Sequence, residues 1–384
     1  MTKRRFPPRK RLLLVLVPML GLLTGAAAPR ATVSTALYGT LADGRAVQRH
    51  TLTNARGMTV EIIDYGAAIA RISVPDRAGK AENVVLAPGD LAGFVASRRR
   101  YGAIVGRYAG RLRGSALVDG KTYPLAANAL GVTLHGGDPG FDHAVWRGRA
   151  FETRRAVGVA LVHHSKAGEQ GFPGALDVTA RYSLARDANV LTLDISATAD
   201  RPTVANLTNH SYFNLTGGGS VACHSLAVDA RRWVATDTRR LPTGVLPLVA
   251  RGPLDFVKAR PLGPSLHSTE PLIAEGLDHM LVLDRGGTAQ LSDATSGRML
   301  TVSTTEPGMQ VYTANALDGT DRDAAGRPLA RHGGIALEPQ HFPDSPWIAA
   351  FPSTRVSPGH PLRWHTQWAF AAGRPTPCDA GNAA

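Results

Sequence analysis

The chain has 384 residues, 43 Lys and Arg against 30 Asp and Glu, a formal charge of +13 and two cysteines. Two cysteines cannot build a metal cluster or a disulfide framework, although in an oxidising compartment Cys223 and Cys378 could pair and pin the C-terminal tail. Seven basic residues lie in the first 30 positions, which hold no acid, so the rest carries about +6, scattered and mostly arginine; that is a solvated basic surface and not a nucleic-acid site.

Six basic residues, Lys3 to Arg11, precede an apolar run from Leu12 to Leu23 and then Gly25-Ala26-Ala27-Ala28. This order reads as a secretory signal peptide over residues 1–28. The stretch from Leu12 to Ala28 contains Pro18 and has 17 residues, short of the ~20 a membrane span needs. Removal is therefore expected over anchoring, with no membrane span in the mature chain and a periplasmic or secreted location. Arg4-Arg5 allows twin-arginine export, and Pro7-Pro8 counts against it.

Beyond the leader, alternation at period two predicts strands. In chain order these are Thr59 to Ile63, Ala68 to Val74, Val157 to His163, Met280 to Leu283, Met299 to Thr304, Gln310 to Ala314, Ile335 to Glu338 and Trp368 to Phe370. Leu91 to Ser97 is the one short helix expected. Asp119-Gly120 is a two-residue hairpin signal between Ala116-Leu117-Val118 and Lys121-Thr122-Tyr123. Leu176, Val178, Ala180, Tyr182 and Leu184, then Leu191, Leu193, Ile195 and Ala197, give a longer hairpin with one buried face. Residues 373–384 read as a disordered tail. Many strands without long helices predict an all-β chain, one large antiparallel sandwich.

Neither HExxH nor CxxC appears, and there is no P-loop, GxGxxG or GxSxG, so metal, nucleotide, redox and serine-hydrolase chemistry find no motif. Polar residues gather instead in loops at strand ends. Arg107 and Arg111 stand in GAIVGRYAGRL, His135 in LHGGDPGF, His210 and Tyr212 in NLTNHSYFNL. Asp278 and His279 stand in EGLDHMLVL, Gln310 in PGMQVYTA and Glu338 in GIALEPQHFPD. Each has a plain alternative: a surface histidine, a turn-capping Asp278, solvated arginines. The stretch around His210 also carries three N-x-[ST] sites, on Asn206, Asn209 and Asn214, which would suit a glycosylated loop. The apolar strand is expected to end on Glu338 and the chain to turn on Pro339; Glu338 is the hardest to leave structural, because an acid at the end of a buried strand is costly unless paired or used.

These six motifs, in this order from about Tyr38 to Phe370, make the chain resemble the aldose 1-epimerases (galactose mutarotases). The resemblance implies a single galactose-mutarotase-like β-supersandwich domain over residues 38–372, with a sugar site in an open cleft. It implies His210 as general acid and Glu338 as general base, with Arg111, His135, Tyr212, Asp278 and Gln310 holding the sugar. Tyr212, Phe213 or Trp347 would supply an aromatic floor. No metal, nucleotide or other cofactor is implied, and the partner would be a free aldose such as D-glucose or D-galactose, met by a monomer or weak dimer. One departure matters: Gly110 precedes Arg111 where the family commonly has Asn, so one amide contact is lost. The alternatives are a hexose-6-phosphate epimerase using Arg107, a non-catalytic carbohydrate-binding protein of the same fold, and a glycoside hydrolase recruiting Asp278 with Glu338.

Overall fold

A computed structural model describes residues 1–2, 30–284 and 286–373. The expected leader, apart from its first two residues, lies outside the described residues. So do the expected tail beyond Gly373 and Cys378, and with Cys378 the pairing to Cys223. Among the described residues no helix is long and apolar enough to cross a membrane.

Three large antiparallel sheets carry most of the strands among the described residues, beside five two-stranded ribbons. Five strands, Thr32–Thr40, Ala46–Thr53, Thr59–Ile63, Ala68–Pro75 and Ala81–Asn83, pair in sequence order. A nine-stranded sheet begins with Arg147–Glu152, Ala156–Ser165, Leu176–Ala185 and Val190–Ala199. The C-terminal strand Leu362–Ala372 then inserts between Val190–Ala199 and Arg298–Thr304 and joins the two halves of this sheet. A six-stranded sheet runs in the order Ala230–Trp233, Asp278–Leu283, Gly308–Tyr312, Ile335–Gln340, Tyr212–Phe213 and Val85–Leu86.

Period-two patterning decides which face is buried. Leu176, Val178, Ala180, Tyr182 and Leu184 are all buried while the residues between them are not. They share one core cluster with Leu52, Val60 and Ile62 of the five-stranded sheet and with Leu281, Val311 and Leu337 of the six-stranded one. Each Val, Leu or Ile side chain among them contributes about 1.5–3 kcal/mol of burial. The expected hairpin turns on Asp119 and Gly120, at φ 49° and 77°, the paired left-handed conformations that a type I′ turn requires. The expected helix forms over Leu91–Ala96, with the Asp90 carboxylate accepting from the Gly93 N–H as N-cap. One expectation changes. The chain does not turn at Pro339: the strand runs on to Gln340, with Pro339 opposite Met309. An antiparallel pair tolerates a proline wherever its partner exchanges no bonds with it.

Candidate active site

The outer face of the six-stranded sheet is the floor of the site. Gln310 lies opposite both Glu338 and Met280, and Tyr312 lies opposite both Ala336 and Asp278. Tyr212 also pairs with Ala336. Side chains alternate along a strand, so Asp278, Gln310, Tyr312, Glu338, Gln340 and Tyr212 project on one side, while Leu281, Val311, Leu337 and Phe213 enter the core on the other. A cavity of about 340 Å³ opens above this polar face. His210, Glu338, Arg111, His135, Tyr212, Asp278 and Gln310 all line it.

His210 reaches the cavity from a segment fixed on both sides. Its N–H donates to the Ala103 carbonyl at 2.9 Å, and its own carbonyl accepts from the Gly102 N–H at 3.0 Å. The neighbouring Asn209 amide donates to the Gly102 carbonyl at 2.6 Å and to the Tyr182 hydroxyl at 3.2 Å. Asn206 likewise donates to the carbonyls of Ala109 and His341, and Asn214 to those of Gly219 and Gly333. The three asparagines are at most 3% exposed. Their amide groups are committed to backbone carbonyls and, for Asn209, also to the Tyr182 hydroxyl, which rules out the glycosylated-loop reading in the folded protein: these are the pins of the His210 loop. Gly102 sits at φ +63°, and a Cβ there would lie 2.0 Å from the Ile69 carbonyl oxygen. Gly102→Ala is therefore expected to destabilise the protein by about 2–4 kcal/mol and to lower turnover by shifting His210, read by thermal unfolding alongside activity.

The short ribbon of Arg111–Leu112 with Thr133–Leu134 sets Arg111 opposite Leu134, the residue before His135. The His135 Nδ1 accepts from the Gly110 N–H at 3.3 Å. That leaves Nε2 carrying the hydrogen. Burial and the nearby Arg100 guanidinium hold His135 well below the usual histidine range, so it is a neutral donor. Gly110 itself is at φ +74°, with Pro343 Cγ 3.0 Å from where a Cβ would be; its part here is the backbone N–H that orients His135. Asp278 is held by three groups: Gln310 Nε2 donates to it at 2.6 Å, Arg240 bonds its second oxygen, and Arg111 lies 3.7 Å away. The Tyr212 hydroxyl donates to the Arg99 carbonyl at 3.0 Å, so Tyr212 offers the site its ring, 4.9 Å from His210.

At the centre, His210 Nε2 stands 3.6 Å from Glu338 Oε1. Both side chains are almost wholly buried. His210 Nδ1 and Glu338 Oε2 find no hydrogen-bond partner among the protein's own groups, which leaves both open to a polar ligand. Burial, helped by Arg100, pushes His210 down to about 4. Burial and the Asp278 carboxylate push Glu338 up to about 8. Between those values the pair holds one proton. Two buried groups with opposed shifts facing one another in one cleft are suited to acid–base chemistry.

Other expectations do not meet the site. Arg107 is buried and donates to the carbonyls of Pro173, Gly174, Ser165 and Lys166, so it is no phosphate ligand. Phe213 lies in the core, and Trp347 donates to the Ser115 carbonyl under Arg113; the aromatic wall is Tyr212 with Tyr312, their rings 6.0 Å apart. His279 accepts from the Asp278 N–H and packs on Trp233. Residues that sequence reading passed over are Arg100, Arg240, Tyr312 and Gln340. The arginine run at 98–100 was a visible signal; Gln340 lay two residues beyond Glu338, hidden by the turn expected at Pro339. Among the described residues, no group of three His, Cys, Asp or Glu is placed to hold a metal.

The aldose 1-epimerase family model matches residues 48–369. The galactose mutarotase of Rattus norvegicus is 37% identical over 345 residues, covering 88% of this chain and 98% of that one. The aldose 1-epimerase of Escherichia coli K12 is 33% identical over 340 residues, covering 86% and 97%. Among solved structures, the galactose 1-epimerase of Lactobacillus acidophilus superposes with a TM-score of 0.80 at 27% identity, over 89% of this chain and 99% of that one. With the fold, the cleft and the match running together along most of its length, the chain belongs to the aldose 1-epimerase family and is an isomerase of that family.

Proposed function

We propose that this protein interconverts the α and β anomers of free hexoses of the glucose and galactose type, with Glu338 and His210 as its acid–base pair. The observation that carries the reading is the pair itself: two buried groups 3.6 Å apart, each with an unsatisfied polar atom, in a sugar-sized polar cavity. The leader over residues 1–28 supports export, so the sugars are met outside the cytoplasm. Intact mass of the exported protein tests that, the expected result being loss of the leader and the contrary one a mass that still includes Met1 to Leu23.

Anomers exchange by opening the ring, rotating about C1–C2 and closing on the other face. Opening removes the proton of the C1 hydroxyl and breaks C1–O5, whose electron pair goes to O5 and must be met by a proton. In the empty site the single proton of the pair rests on Glu338. Sugar hydroxyls that hydrogen-bond the carboxylate, with Arg111 beside it, favour its charged form and move that proton to His210. Glu338 then takes the C1–OH proton as His210 gives one to O5, and C1–O1 becomes a carbonyl. Closure runs the two transfers backwards. His135 Nε2–H, Arg111 and the Asp278–Gln310 couple hold the remaining hydroxyls, and the tyrosine rings face the C–H side. The reaction calls for no cofactor.

Since activity requires one proton on the pair, kcat/KM should form a bell. Its acid limb lies near pH 4, where His210 and Glu338 are both protonated and no base remains. Its alkaline limb lies near pH 8, where neither holds a proton. A profile that rises steadily through pH 8–9 contradicts this assignment. Gln340 supplies a second check. It is 1% exposed with both amide atoms unpartnered. Gln340→Met should keep or raise stability while raising KM about tenfold, the size of one lost sugar hydrogen bond. Polarimetry on fresh α-D-glucose and α-D-galactose, corrected for the spontaneous rate, tests the activity: acceleration of either sustains the reading, and acceleration of neither ends it for neutral hexoses.

A further inference from the structure

Five arginines line the cavity that holds His210 and Glu338: Arg98, Arg99, Arg100, Arg111 and Arg240. A neutral hexose offers them hydroxyls alone. Three already have partners inside the site or behind its wall. Asp278 takes Arg111 and Arg240, and the buried Asp142 lies 3.5 Å from Arg100. Arg98 and Arg99 differ. Their partners are Asp138 at 3.7 Å and Asp318 at 3.2 Å, with side chains 40% and 54% exposed. Solvated pairs of this kind contribute little and exchange readily for another anion.

The position of the run says which end of a sugar it meets. Arg98–Arg100 end two residues before Gly102, whose N–H is bonded to the His210 carbonyl. The Arg99 carbonyl accepts the hydroxyl of Tyr212, two residues after His210. The Arg98 carbonyl accepts from Arg100 Nη1 at 3.1 Å, which folds the run onto the wall. The arginines are thus tied to both flanks of His210, the group that protonates O5. In a pyranose, C5 is bonded to O5 and carries C6, so the C6 substituent lies beside the atom His210 serves. Arginine forks match carboxylate and phosphate oxygens in geometry as well as charge.

We propose that the sugar this site is built for carries an anion on C6, a carboxylate or a phosphate, and that Arg98 and Arg99 receive it. The inference rests on the epimerase reading of the same cavity and moves its preferred substrate from a neutral hexose to one that is anionic at C6. The test is the rate of anomer exchange at low ionic strength for galacturonate, glucuronate, glucose 6-phosphate, glucose and galactose. At least one anionic sugar should exceed the neutral ones in kcat/KM by about tenfold, the scale of one charge-assisted contact. Which of the three it is separates carboxylate from phosphate. The paired change Arg98→Glu with Arg99→Glu should invert that ratio, while Arg98→Lys with Arg99→Lys should keep most of it. Both pairs alter side chains at the cavity mouth, and circular dichroism with thermal unfolding checks their fold. Neutral sugars handled as well as anionic ones, or a ratio unmoved by the glutamates, overturns the inference and leaves the epimerase reading standing. Exchange of no sugar at all overturns both.

Discussion

Glu338→Gln is expected to fold normally and to lose about 10²–10⁴-fold in kcat, with His210→Asn losing a similar amount. Each substitution keeps the size of the side chain and part of its hydrogen bonding. What it removes is the proton transfer proposed for Glu338 and His210, which stand 3.6 Å apart. The loss corresponds to roughly 3–5 kcal/mol of transition-state stabilisation and should fall on kcat more than on KM. Because both groups act in one exchange, the double variant should be far less than multiplicatively worse. Asp278→Asn behaves differently: it loosens the couple with Gln310 and the bonds from Arg240 and Arg111, so KM should rise as well. Mutarotation rates corrected for the spontaneous reaction check these values, with circular dichroism as the fold control. A folded Glu338→Gln protein that keeps more than about a tenth of wild-type kcat, far above the expected acid–base loss, removes Glu338 from the reaction.

The same substitution should make the protein more stable. Glu338 is raised in the folded state from 4.5 to about 8. A carboxyl raised on folding contributes stability that is fully present below its unfolded value and is lost as pH rises through its folded value. Wild type therefore loses stability between about pH 4.5 and 8, at up to ~1.4 kcal/mol per pH unit, because the unfolded chain ionises there and the folded one resists it. Glutamine has no proton to lose. His210, depressed from 6.5 to about 4, acts in the opposite sense: its contribution is present above pH 6.5 and lost as pH falls towards 4, in both proteins. Thermal unfolding of Glu338→Gln should consequently exceed wild type by several degrees at pH 8, with the gap closing near pH 4.5. Equal melting temperatures at pH 8 contradict a protonated buried Glu338. A base kept at some cost in stability is what an active site of this kind entails.

Much of this was legible in the residues. The hairpin from Leu176 to Ala197 announced itself because each strand has one buried face, and Asp119-Gly120 because only certain residues accept a type I′ turn. The strands Thr32–Thr40 and Ala46–Thr53 were not seen, since the first is largely exposed and carries no clean alternation. In the site, Glu338 stood out as an acid at the end of Ile335-Ala336-Leu337, and motif order brought in His210 and the other residues that line the cavity. What the sequence withheld was register. That Gln310 lies opposite Glu338, and Tyr312 opposite Asp278, follows from pairing across the sheet, which no local pattern encodes. Arg107 and Arg111 look alike in GAIVGRYAGRL, yet one is buried among carbonyls and the other faces the cavity. Gln340 was missed because a proline was read as a turn where the pairing partner simply made no demand on its N–H.

In the proposed reaction Glu338 and His210 break C1–O5 and leave C1–O1 intact, which separates ring opening from the hydrolase-like route in which a carboxylate pair expels the group at C1. Following α-D-galactose by NMR in ¹⁸O-labelled water with the wild-type protein distinguishes them, because each enzymic event is visible both as anomer exchange and as any oxygen exchange at C1. Ring opening gives many anomer interconversions with no ¹⁸O entering C1 beyond the enzyme-free control. Incorporation of label at C1 in step with each interconversion would contradict it.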